Sequence, residues 1–487
     1  MSGPLARMLR PVRLDAPVRT SLARGGVYST IGLLAQGLLR FLTALLVGHI
    51  TDSEAELGVV ASAIATATIL ALLWPTTAGS AASKFLARAR GGEDLDEARA
   101  IAAHLRGRVA GAVAVLGMAS LPAWVLIDGG TWAGAASVGL LTVAYSGYAF
   151  TRGVQFGAGQ VQRATLWDIA SVVVGLGLLI WLLLAGVRGP ALVLPLVVAY
   201  GLYTVAGWPY GRRGGQRLDR SHRREIDGFV LLGAVGTLAS TGFLQFSQIA
   251  AKLAEGSAAA GVYAAALSLA TPASMLAASL SLVLLPSMAE AWGRGDRAAF
   301  AAQTDQATRA LAAVMVAIFG SIILASRLIV EVIWDEKLAG AKDLLPVLVL
   351  AVLATNLGVA SVNALATRSQ RGQRVTTAAS VIGMVVGVIV WLVAAPRMGL
   401  AGVAVGYLCG TVVVAVIPVV VAWRKDNHRW GAVFGKVGVG VAVVSAAAIV
   451  QRAAALPSWL DPVFVLVFLA GWCALNWGTI AVLLKRR

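Results

Sequence analysis

The sequence predicts an all-α, polytopic membrane protein. Its expected form is about 14 transmembrane helices, arranged as two pseudo-symmetric six-helix bundles plus a C-terminal helix pair. Three observations lead there. First, only 13% of the 487 residues are charged and 58% are hydrophobic, and the mean hydropathy is +0.81. A soluble chain carries about 25% charged residues, so these charges are too few to cover a water-facing surface. Second, Lys and Arg alternate in density between successive loops. Third, a weak internal repeat relates the two halves.

A span needs about 20 mostly apolar residues. Six such stretches come first, at 25–49, 57–79, 109–127, 132–151, 165–187 and 190–210. The second of these is rich in Ala and Gly and is interrupted by Trp74-Pro75. Six more follow at 228–251, 259–285, 308–330, 344–366, 376–395 and 399–423, and a last pair at 432–450 and 462–484. The expected organisation is a cytoplasmic stub (1–24), an N-lobe (25–210), a cytoplasmic linker (211–227), a C-lobe (228–423) and a C-terminal segment (424–487). No small-x-small cleavage site follows the first apolar run, so the stub reads as uncleaved.

Placing the N-terminus in the cytoplasm puts 32 Lys and Arg in inner segments and 7 in outer ones, with Arg40 left inside a span. That split keeps one phase through all the spans, as the positive-inside rule requires. Both termini are then cytoplasmic. The formal charge of +17 is accordingly a topology signal facing anionic lipid, not a nucleic-acid footprint. Trp124, Trp132, Trp334 and Trp459 fall at outer boundaries, and Trp208, Trp292, Trp423 and Trp430 at inner ones, which reads as an interfacial belt.

Other classes of function are poorly supported. Cys409 and Cys473 sit in apolar runs and the four His residues are scattered, so no disulfide framework, zinc site or other metal site is expected. Gly435-Lys436 is followed by Val437, not Ser or Thr, so no Walker sequence is present. No cofactor is expected. The outer loops near 331–343 and 451–461 are short, which argues against a membrane-embedded glycosyltransferase or polymerase. Asp52-Ser53-Glu54-Ala55-Glu56 reads as a solvated outer loop and Asp94-Leu95-Asp96 as intraloop ion pairing.

The repeat has an offset of 203 residues. Gly25 matches Gly228, Gly58-Val59 matches Gly261-Val262, Ala61 and Ala63 match Ala264 and Ala266, and Gly92-Glu93 matches Gly295-Asp296. Six spans per half is an even number, so the halves share one orientation, as in transporters built from parallel repeats around a cavity.

Ionisable and polar groups inside spans mark transport paths by default. Ser29, Gln36, Arg40 and Thr43 share one face of the first span, and Arg40 lies about 23 Å along it. The matching span carries Thr237, Thr241, Gln245, Gln248 and Lys252. Arg40, Lys252 and Arg152 are candidate contacts for an anionic headgroup, since Arg offers phosphate a planar fork of donors. Gln36, Thr43, Thr241, Gln245, Gln248, Asn356 and Asn363 are candidate cavity-lining groups. The alternative is that Arg40 and Lys252 snorkel or pair, and that the amides join helices. Thr142, Tyr145, Tyr148 and Arg152 form a further stripe on span four. Asp168, expected beside Arg163, Asp227, expected beside Arg223 and Arg224, and Glu331 are candidates for ion coupling.

Several segments then carry a resemblance. They are Gly58-Val59-Val60, the run Gly261-Val262-Tyr263-Ala264-Ala265-Ala266 with Leu285-Pro286, Ala366-Thr367-Arg368-Ser369-Gln370-Arg371-Gly372, and Met398-Gly399-Leu400-Ala401-Gly402-Val403-Ala404. In this order and on this many spans, the chain resembles the multidrug/oligosaccharidyl-lipid/polysaccharide (MOP) exporter superfamily, from about residue 25 to 485. It looks most like the polysaccharide (O-antigen-type) flippase branch. The lipid II flippase branch ranks second, because its Arg-Asp pair near the first span and its acidic-aromatic loop are missing here. The resemblance implies a bacterial cytoplasmic-membrane protein that is not an enzyme. It would flip an isoprenoid-diphosphate-linked saccharide by alternating access, with the last two spans shaping a groove for the lipid tail. Its partners would be membrane lipid, that lipid-linked substrate, and glycosyltransferases or a polymerase of the same pathway. It would act as a monomer, without nucleic acid. A cation-coupled drug antiporter of the same fold is the alternative, although a cation site would place an acid where the first span has Arg40.

Overall fold

A computed structural model describes residues 22–51, 53–91, 94–128, 131–209, 218–275, 295–334 and 336–478, with isolated positions between 277 and 292. Residues 1–21 of the stub, Asp52, Gly92-Glu93, 210–217 of the linker, Leu285-Pro286 and residues 479–487 lie outside these. Among the described residues the regular structure is entirely helical, and thirteen helices are long and apolar enough to cross a membrane. One of them, Arg220–Ala270, contains both the seventh and the start of the eighth expected span. It is two helices merged at Gly256, where φ is 88° and ψ is −172°. Few residues other than glycine tolerate that backbone.

The chain divides into two compact units, Met1–Gly261 and Val262–Arg487. The first contains α1 (Leu22–Thr51), α2 (Glu54–Leu73), α3 (Pro75–Gly91), α4 (Leu95–Asp128), α5 (Trp132–Gly157), α6 (Val161–Leu184), α7 (Leu194–Gly207) and α8 (Arg220–Thr237). A π-turn at Leu238–Gly242 leads into α9 (Phe243–Ala270), which runs into the second unit. The second contains α10 (Arg297–Leu324), α11 (Ser326–Ile333), α12 (Ala341–Arg368), α13 (Gln370–Met398), α14 (Leu400–Asp426), α15 (Gly431–Ala453) and α16 (Asp461–Leu475).

Local chemistry sets these boundaries. Ser53 caps α2 by accepting from the Glu56 N–H, Thr131 caps α5 through Gly134, and Asp296 caps α10 through Ala299 at 2.8 Å. Each cap satisfies one of the four donors a helix start leaves open. The Ala/Gly tract is helical on both sides of Trp74, and the break falls there because Pro75 has no N–H and disfavours a helical residue before it. Beyond the break, α3, α4 and α8 form an apolar core of Phe85, Leu86, Ile101, Leu105, Ile226 and Val230, each at most 1% exposed.

The aromatic belt holds only in part. Trp132 and Trp459 are exposed, but Trp124, Trp334 and Trp430 are buried. Trp124 lies under the Lys252 ammonium, 4.7 Å from its ring centroid, and the Trp430 indole donates to Asp305 Oδ1 at 2.8 Å. These rings have protein partners, so boundary position alone misassigns them to lipid.

Candidate functional site

The polar interior of the first unit is built from α1, α5, α6 and α7. Gln36 on α1 donates through Nε2 to the Asp168 carbonyl oxygen at 3.3 Å and to Ser171 Oγ at 3.2 Å, both on α6. Asp168 is fully buried. Its Oδ1 accepts from the Tyr148 hydroxyl at 3.1 Å, and its Oδ2 accepts from Arg152 Nε at 3.2 Å. A buried carboxylate is tolerable only when paired and hydrogen-bonded in this way. Arg163, the partner expected from sequence, instead donates to the Ala206 carbonyl oxygen at 2.5 Å. Four residues separate Tyr148 from Arg152, so one face of α5 presents both groups to Asp168.

Next to this pair lies a group of four tyrosines. Tyr148 is 4.9 Å from Tyr200 and 4.8 Å from Tyr203, and Tyr145 is 5.2 Å from Tyr200, measured between ring centroids. The guanidinium of the half-buried Arg40 rests over the Tyr145 ring at 5.1 Å. Among the described residues no carboxylate pairs with Arg40. An aromatic face stabilises a cation without neutralising it, so the charge stays available to an anion. Gln36 also keeps its Oε1 buried and without a hydrogen-bond partner.

The other candidates are more dispersed. Thr43 is buried and its hydroxyl is used within α1, donating to the Leu39 carbonyl oxygen at 2.7 Å. Lys252 is 5% exposed, and Gln248 donates to the Ala260 carbonyl oxygen at 2.9 Å. Thr241 is exposed and Gln245 half-buried. The stripe expected on this span assumes an unbroken α-helix, and the π-turn at Leu238–Gly242 interrupts that periodicity. Asn356 is buried but satisfied inside α12 by the Val352 carbonyl oxygen at 2.6 Å, and Asn363 is buried on the same helix. Asp227 faces His104 at 3.0 Å and Arg108 at 3.1 Å instead of Arg223 and Arg224. Glu331 is exposed on α11.

Sequence reading missed Tyr200 and Tyr203. A signal for them existed: four of the eight tyrosines form two i,i+3 pairs, 145/148 and 200/203. It also missed a polar cluster in the second unit. There Arg327 on α11 donates to Asp461 Oδ1, and Asp461 Oδ2 accepts from the Leu328 N–H at 3.2 Å. Gln451 donates to Asp461 Oδ1 at 3.0 Å and to the Leu324 carbonyl oxygen at 3.1 Å. This cluster fastens α15 and α16 to the end of α10. Among the described residues no group of three or more His, Cys, Asp or Glu could hold a metal ion.

This helical bundle is similar to solved transporters of the MOP superfamily. An inward-facing multidrug-resistance MATE-family transporter of that superfamily superposes with a TM-score of 0.66 at 16% identity, covering 82% of this chain and 94% of its own. An outward-facing MATE-family transporter gives 0.61 at 15% identity, covering 88% and 98%. A MOP superfamily transporter from Pyrococcus furiosus, described as having a binding pocket of reversed polarity, also gives 0.61, at 16% identity with coverage of 88% and 98%. No curated protein sequence matches the chain. Residues 170–474 match the model of the lipid II flippase MurJ, and the chain belongs to that family. The superfamily and the flippase class agree with the sequence reading, but the branch does not, since the family named is the one ranked second. The matched stretch begins at residue 170. The missing Arg-Asp pair and acidic-aromatic loop, which weighed against this branch, lie before it.

Proposed function

We propose that the protein translocates lipid II, the isoprenoid-diphosphate-linked precursor of peptidoglycan, from the inner to the outer leaflet of a bacterial cytoplasmic membrane. Family membership over residues 170–474 supports the substrate. The observation that carries the reading is Arg40, an intramembrane guanidinium resting on Tyr145 with no carboxylate partner among the described residues. A diphosphate is the anion such a group favours, through paired N–H···O bonds. The ring hydroxyls of Tyr145 and Tyr200 and the Gln36 amide suit the polar saccharide beside it. Arg152 is a weaker headgroup contact, because Asp168 already neutralises it.

Alternating access is the mechanism expected of two parallel repeats. The headgroup enters from the cytoplasm and is released outside while the tail stays in lipid. Both termini lie in the cytoplasm on this reading. With no Walker sequence in the chain, the drive comes from an ion gradient, the membrane potential or removal of the product. Asp168 is the favoured coupling group of the three carboxylates, because a proton on it would release Arg152. Other isoprenoid-diphosphate saccharides present the same anion and form the second reading.

Reconstituted vesicles test the choice. Purified protein in proteoliposomes should expose fluorescent lipid II to an external probe faster than protein-free vesicles do. A tenfold preference for a polysaccharide-type carrier lipid over lipid II would favour the second reading. Movement of neither substrate would overturn both.

A further inference from the structure

A cleft of about 60 Å³ opens between α10, α15 and α16 in the second unit. Arg309, Ala312, Lys436, Val437, Trp472 and Asn476 are among the residues that line it. We propose that this cleft binds the phosphate of an anionic phospholipid from the leaflet at that end of the helices. The inference stands apart from the flippase reading.

Three observations carry it. The first is charge. Lys436 Nζ donates to the Leu475 carbonyl oxygen at 2.7 Å and has no carboxylate partner among the described residues. Arg309 is held by Asp305, with Nε 2.8 Å from Oδ2, and by the Arg429 carbonyl oxygen at 3.3 Å. Its side chain remains 36% exposed. Two cations against one carboxylate leave a net positive charge at the cleft. An ammonium has three donors and a guanidinium five, so both keep hydrogens for an anion.

The second is depth. Lys436 is the sixth residue of α15, about 8 Å from the helix start. The start itself is marked by aromatic packing: Trp423 lies 5.9 Å from Phe434, and His428 stacks on Trp430 at 4.4 Å. A lysine at that level reaches for headgroup phosphates, and basic pockets between spans at the cytoplasmic side are a known form of lipid site.

The third is shape. The polar mouth gives way to an apolar wall of Ala312, Val437 and Trp472. The Trp472 indole is fixed in that wall, with Nε1 donating to the Ala313 carbonyl oxygen at 2.7 Å and its ring stacked on Phe468 at 6.2 Å. On the outer side of α15, Val439 and Val443 are more than half exposed, giving acyl chains a lipid-compatible track. Free phosphate would use only the cations, whereas a phospholipid uses the wall as well.

The test is native mass spectrometry of the full chain released from micelles containing phosphatidylglycerol or phosphatidylcholine. The wild type should retain one more phosphatidylglycerol than phosphatidylcholine. Lys436→Gln should weaken that retention about fivefold, and Lys436→Arg should restore most of it, as expected for ~1 kcal/mol per surface cation. A second readout needs no variant. Phosphatidylglycerol brominated on its acyl chains should quench tryptophan emission more than brominated phosphatidylcholine at equal mole fraction, because Trp472 lines the cleft. Equal retention of both lipids, unchanged retention in Lys436→Gln, or equal quenching would overturn the proposal. So would loss of the retained lipid on adding millimolar inorganic phosphate, which would mark a free-phosphate site.

Discussion

Gly58 and Gly261 meet where α2 and α9 cross. A Cβ on Gly58 would lie 1.8 Å from the Ser257 carbonyl oxygen, and one on Gly261 would lie 1.9 Å from the Glu54 carbonyl oxygen. These are also the two glycines related by the 203-residue repeat. Each leaves room for the backbone of the other's helix. Both neighbours are backbone atoms, so a side chain here cannot be accommodated by a rotamer change. Gly58→Ala and Gly261→Ala should each lower stability by about 1–3 kcal/mol. The double variant should cost less than the sum, because the first substitution already parts the helices. Thermal unfolding in detergent measures this, and unchanged midpoints would contradict the close approach.

The Arg152–Asp168 pair makes a second prediction. Asp168 is fully buried, while the Arg152 side chain is only 23% exposed. Removing one partner strands the other charge, at a cost of about 3–5 kcal/mol, while removing both costs less. Asp168→Ala and Arg152→Ala should therefore each destabilise more than the double variant does. An additive cycle would mean that the two charges are not coupled.

The Asp461 cluster concerns the last two helices. Asp461 joins Arg327, the Leu328 N–H and Gln451 across α11, α15 and α16. Asp461→Ala should loosen α15 and α16 from the rest of the unit and leave Arg327 buried without its counter-ion. Limited proteolysis should then cut the α14–α15 connection, which includes the left-handed residue Asn427, faster than in the wild type. Equal cleavage rates would show that apolar packing alone holds the pair.

Much of this architecture was legible before the structure. Span positions follow from apolar runs, whereas the helix starts capped by Ser53, Thr131 and Asp296 emerge only in the structure. The site was less legible, for specific reasons. Sequence proximity suggests Arg163 as the partner of Asp168, but the pair forms with Arg152 on another helix. Periodicity reports which residues share a face and says nothing of which helix that face meets. The stripe on the seventh span fails past Thr237 because a π-turn leaves little trace in composition. Lys252, a candidate headgroup contact near a span boundary, is buried with its ammonium over Trp124, a contact no local pattern encodes. Arg40 stands out in the sequence because a lone cation in an apolar run is costly wherever the helix packs.

Topology gives an independent check. With Cys409 and Cys473 replaced, single cysteines at Arg188 and Arg220, both exposed, should react with impermeant reagent from opposite sides of the membrane. Arg188→Cys should label in intact cells and Arg220→Cys only after permeabilisation. Labelling of both in intact cells would contradict the proposed orientation.

The most direct measurement concerns Arg40. The rate of fluorescent lipid II exposure in proteoliposomes should fall to background in Arg40→Ala. Arg40→Lys should keep part of the rate, since Lys retains the charge without the bidentate fork. Thermal unfolding of both variants should stay near that of the wild type, because no carboxylate depends on Arg40 for its pairing. Wild-type flipping by Arg40→Ala, or loss of flipping and stability together, would contradict Arg40 as the anion-binding group.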